Sequence, residues 1–148
     1  MKKSFVRDFQ NAIDRHRQIA VQSIAKLLGS KIPDDLEILQ IETDCQGWGK
    51  EAATVYALDR YSQEVSRRSP FGGRPLFTAD PFLPEDILEA DLIKKTIDPA
   101  AIGTRLLGDW LGARWREAGG ARWPRRAYFQ HHDSRRYLDL KSGRWKTY

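Results

Sequence analysis

The stretch that most restricts the fold is Arg122–Tyr148, RWPRRAYFQHHDSRRYLDLKSGRWKTY. Asp133-Ser134 and Ser142-Gly143 are two-residue breakers between runs rich in Tyr, Phe, Trp and Leu, the pattern of three short strands joined by tight turns. Counting outward from two-residue turns sets the pairing. Phe129 then faces Leu138 and Ala127 faces Leu140 across the first turn, while Leu140 faces Trp145 and Leu138 faces Thr147 across the second. Side chains alternate along a strand, so all of these lie on one side. The other side carries Tyr128, Gln130, His132, Arg135, Tyr137, Asp139, Lys141, Arg144, Lys146 and Tyr148. The expected unit is a three-stranded meander with one apolar face and one basic, tyrosine-rich face.

Charge is concentrated in the same region. The chain of 148 residues has a formal net charge of +5, but residues 1–109 hold 15 basic and 17 acidic side chains, whereas residues 110–148 hold 10 basic and 3 acidic. That last quarter also contains 8 of the 16 aromatic residues. Such asymmetry points to an anionic partner: a nucleic acid, an acidic protein surface or a membrane. No apolar run reaches the roughly 18 residues needed to cross a bilayer, and Arg7, Asp8, Asp14 and Arg15 interrupt any apolar leader. A single cysteine, Cys45, excludes an internal disulfide framework and fits a reducing, cytoplasmic setting.

Upstream, Phe5, Phe9, Ile13, His16, Ala20, Ile24 and Leu27 recur at helical spacing, which predicts one helix over Ser4–Leu28 with Gly29 as its stop. His16 falls inside that stripe and reads as a structural histidine, replaceable by leucine without loss of stability. Leu36–Thr43 and Ala52–Leu58 read as a hairpin around Asp44–Glu51, whose loop offers an exposed Trp48 beside Cys45. Asp59–Arg68 has the spacing of a short helix, and Ser69–Pro84, with four of the seven prolines, that of an irregular wrap anchored by Phe71, Leu76, Phe77, Phe82 and Leu83. Helices follow over Glu85–Ile97 and, after the Asp98-Pro99 start signal, over Pro99–Ala118. The second of these puts Ile102, Leu106, Trp110 and Ala113 on one stripe. Gly108 and Gly112 lie on another side, beside Trp115, as a place of close backbone approach. The whole predicts a single α+β domain: a four- to five-stranded, largely antiparallel sheet with helices mainly on one face.

The residues assemble no recognisable catalytic set, metal set or cofactor fingerprint. His131 and His132 are neighbours on a strand and point to opposite faces. Glu42, Asp44, Glu51 and Asp59 are carboxylates able to converge at one end of the first hairpin. The expected function is therefore that of a non-enzymatic protein-binding module, by analogy a small cytoplasmic inhibitor or immunity-type factor, with an acidic protein partner. Its site would be Tyr128, Arg135, Tyr137, Arg144 and Tyr148. Nucleic-acid binding through the same arginines and rings is the alternative, and an enzyme with an unrecognised site the third reading. No membrane partner is expected, and a homo-oligomer is compatible with the sequence.

Overall fold

A computed structural model of the chain describes residues 2–65, 71–79, 81–87, 99–132 and 134–148. Among these, the order is α1 (Lys2–Asp14), α2 (Arg17–Leu28), β1 (Ile38–Thr43), β2 (Thr54–Leu58), β3 (Gly72–Pro75), α3 (Pro99–Glu117), β4 (Arg126–His131), β5 (Arg136–Asp139) and β6 (Arg144–Thr147). The fold is α+β. Its six strands form one mixed sheet in the order β3-β2-β1-β4-β5-β6. β1 and β4 run parallel at the centre, Ile41 beside Phe129 and Thr43 beside His131, and every other pair is antiparallel. The chain leaves β1 through β2 and β3 on one side and returns through α3 to begin β4 on the other.

Alternation places Leu39, Ile41, Val55, Ala57, Ala127, Phe129 and Leu138 on one face, all fully buried or nearly so. The helices cover that face. The inner side of α3 is Leu107, Leu111 and Trp115, together with the glycines, while Ile102, Leu106, Trp110 and Ala113 are only half-buried. The stripe read from the sequence is thus the flank of the helix and not its base. The reason is steric: a Cβ at Gly108 would lie 2.6 Å from the Trp145 ring and 2.9 Å from Phe129, and one at Gly103 would lie 2.7 Å from Trp48. Helix backbone meets sheet side chains directly there, the close approach expected at Gly108.

Other expectations are corrected. The N-terminal segment is two helices, broken at Arg15-His16. There the His16 N–H bonds the Ile13 carbonyl, and its ring Nε2–H donates to the Phe82 carbonyl at 2.8 Å. The ring also lies against Phe77 and Phe82. His16 is structural, as expected, but through a hydrogen bond to the proline-rich segment. That segment is not wholly irregular: Gly72–Pro75 adds to the sheet edge as β3, where the imino ring of Pro75 disturbs little. Phe71, Leu76, Phe77, Phe82 and Leu83 are buried, as expected. Instead of a helix after β2, the Asp59 carboxylate accepts the Tyr61 and Gln63 N–H groups, and the chain doubles back so that Glu64 pairs with Leu58. The expected helix Glu85–Ile97 is helical over 85–87 and beyond that lies outside the described residues, as do Arg67, Arg68, Ser69 and Asp98.

In the meander, Phe129 faces Leu138 as counted, and the Leu140 N–H bonds the Ala127 carbonyl. The second turn differs by two residues: Leu138 faces Trp145, and residues 140–143 form the loop. Asp139 is the cause. Its carboxylate accepts the Lys141 and Ser142 N–H groups, and Gly143, at φ 72°, closes onto the Asp139 carbonyl. A shift of two preserves the side-chain alternation, so the residues that remain on strands keep their faces, while Leu140 and Lys141 fall in the loop.

Candidate functional site on the open sheet face

The face opposite the helices carries the alternate residues of the same strands. Tyr128, Gln130, Tyr137, Asp139, Arg144, Lys146 and Tyr148 stand on the meander, and Gln40, Glu42, Thr54 and Tyr56 on the central hairpin. The tyrosines form a ladder, with Tyr128 to Tyr137 and Tyr137 to Tyr148 each 4.7 Å between ring centres. The Tyr148 hydroxyl donates to the Gln130 side-chain oxygen, although 68% of Tyr148 remains exposed. Burial among its neighbours raises the Tyr148 phenol above the usual tyrosine range, with Tyr137, Tyr128 and Glu42 adding to the effect.

Cations surround this ladder. Arg144 sits opposite Asp139 and is exposed, and Lys146 bonds the Asp139 carboxylate at 3.2 Å. Arg135 is exposed at the entry to β5, where its carbonyl accepts the Tyr148 N–H. Burial pushes the Asp139 carboxyl up. The N–H of Lys141, the Lys146 ammonium and the Ser142 donors outweigh it and hold the group below its ordinary value. All five residues singled out in the sequence, Tyr128, Arg135, Tyr137, Arg144 and Tyr148, stand on this one face or at its rim.

The face changes sign toward β1 and β2. A cleft of about 250 Å³ opens at the carboxyl ends of the parallel strands, lined by Glu42, Asp44, Glu51, Thr54, Tyr56 and His132 among others. His132 Nδ1–H donates to Glu42 at 2.7 Å, and the Gln40 amide donates to the other Glu42 oxygen at 3.0 Å. Burial raises the Tyr56 phenol, and the nearby Glu42, Glu64 and Glu51 raise it further. Of the four carboxylates whose positions in the sequence allow convergence, Glu42, Asp44 and Glu51 line this one cleft. Asp59 does not, because it caps the turn at the opposite end of the hairpin. The Glu42–His132 pair was not foreseen, since it depends on the parallel register that aligns Glu42 with Gln130.

His131 points the other way, as alternation requires, and its Nε2 accepts the Cys45 N–H at 3.2 Å. Trp48 is not an exposed contact residue. It is 2% exposed, and its indole N–H donates to Thr43 Oγ1 at 2.7 Å, which donates in turn to the Ala52 carbonyl at 2.6 Å. Comparison with protein-family models, with curated proteins and with solved structures finds no match to this chain.

Proposed function

We propose that the chain is a non-enzymatic protein-binding module, of the kind that blocks or escorts another protein in the cytoplasm, and that it engages an acidic partner surface through the open face of the meander. The observation that carries this reading is the ladder of Tyr128, Tyr137 and Tyr148 on paired strands, rimmed by Arg135, Arg144 and Lys146. Tyrosine and arginine are the side chains richest in interface hot spots, and rings held on strands lose little freedom on binding. The change of sign across the face favours a protein over a nucleic acid. A phosphate backbone crossing the ladder would meet Glu42 and Glu51, whereas a protein can match a surface that is basic at one end and acidic at the other.

The test is capture from a native extract by the full chain and by the Tyr137→Ala, Arg144→Ala double variant, with and without nuclease. The reading expects one acidic protein retained after nuclease and moderate salt, with its affinity weakened by at least about 2 kcal/mol in the variant. The variant's stability should fall by no more than about 1 kcal/mol, the scale of a cross-strand pair. Equal retention by the variant sinks the proposed site. Tight oligonucleotide binding at physiological salt, lost steeply as salt rises, overturns the reading in favour of nucleic acid.

A further inference from the structure

We infer that Asp44, Cys45 and His131 form a binding site for a borderline-soft divalent metal ion, zinc above others. Asp44 and Cys45 lie where β1 ends, and His131 is the last residue of the parallel neighbour β4. One ligand atom from each, a carboxylate oxygen, the Cys45 sulfur and an imidazole nitrogen, all lie within 4.8 Å of one another. Among the described residues this is the grouping of its kind. Metal–ligand bonds of about 2.0–2.3 Å place tetrahedral ligands roughly 3.3–3.8 Å apart, so side-chain adjustments of about 1 Å complete the set.

The donor chemistry selects the ion. Calcium and magnesium take oxygen ligands, so a thiolate and an imidazole argue against them, whereas one sulfur, one nitrogen and one oxygen suit zinc. Three protein ligands leave a fourth position for water. On binding, the Cys45 thiol gives its proton to solvent and its sulfur bonds the metal. If Nε2 is the ligand, the long Cys45 N–H bond to His131 is exchanged for a coordinate bond. Of the three, Asp44 also lines the polar cleft on the open face, while Cys45 and His131 lie outside that lining. The sequence did not disclose the trio because 86 residues separate Cys45 from His131.

The experiment titrates the full, metal-stripped chain with Co²⁺, a spectroscopic stand-in, and then with Zn²⁺. The inference expects one ion per chain, a thiolate-to-cobalt charge-transfer band that Zn²⁺ abolishes, and slower modification of Cys45 by a thiol reagent when Zn²⁺ is present. Loss of an outer-shell partner of a metal ligand already weakens metal binding by about 10–100-fold, so Cys45→Ser and His131→Gln should each weaken Zn²⁺ by at least about 100-fold. His132→Gln, on the opposite face, is the internal control and should leave binding unchanged. Absence of the band and of thiol protection in the unmodified chain overturns the inference whether or not the variants fold. A band that survives His131→Gln, or is lost equally in His132→Gln, overturns it as well.

Discussion

The two faces of this sheet are made by the same strands and obey different physics. On the covered face, Phe129 and Trp145 meet the backbone of α3 at Gly108 with no slack, so the energy lies in shape and in area removed from water. On the open face, Gln40–Glu42–His132 and Asp139–Lys146 are polar pairs in reach of solvent, each worth little to stability. A change of one residue along a strand therefore moves from a site that governs folding to one available for recognition. The two properties should separate in experiment.

The largest effect is expected on the covered side. Trp115 is fully buried and stands edge-on to Trp123 at 6.0 Å. Trp115→Ala should cost about 3–5 kcal/mol in denaturant unfolding, and a cost below 1 would mean that α3 does not hold the core. Next comes a paired test of close approach. Gly108→Ala gains about 1 kcal/mol of helix propensity, but its methyl meets Trp145 and Phe129, so a net loss of about 1–2 kcal/mol is expected. Gly112→Ala meets the end of Leu138 at 3.4 Å and the Arg116 guanidinium at 3.6 Å, both ordinary contacts, and should be neutral or stabilising by up to about 1 kcal/mol. Equal effects at the two glycines would dissolve the contrast.

His16→Leu removes the bond to the Phe82 carbonyl and should now destabilise by about 1 kcal/mol, the reverse of what its place in the helical stripe suggests. Thermal melts of the variant that match or exceed the parent would restore the simpler reading. The smallest effect belongs to the open face. Asp139 is held below its ordinary value in the folded chain, so its contribution is present above the unfolded carboxyl range and is lost as pH falls through the folded value. Asp139→Asn should flatten the acid limb of the stability curve below about pH 4 by about 0.2–1 kcal/mol, with little change in the shape of the curve above it. A larger change near neutral pH would show that the turn, and not the charge, had been damaged.

What the sequence determined by itself was the identity of the faces. Alternation is local, and it survives even a register shift of two, which is why it groups Tyr128, Tyr137, Arg144 and Tyr148 although the second turn closes as the longer loop of residues 140–143. The stop of α2 before Gly29, the start of α3 at Pro99, the buried aromatics of the proline-rich stretch and the glycine approach of α3 are legible for the same reason: each depends on neighbours within a few residues. Only the tertiary structure decided the rest. That β1 lies parallel to β4, that Gly72–Pro75 becomes an edge strand, and that the chain breaks at His16 to reach Phe82 follow from contacts between distant segments. Those same contacts bring Glu42 to His132, and Asp44 and Cys45 to His131. Local periodicity states which way a side chain points. Whom it meets is fixed by strand order, which is set by the burial of the whole core and is written in no single stretch of the chain.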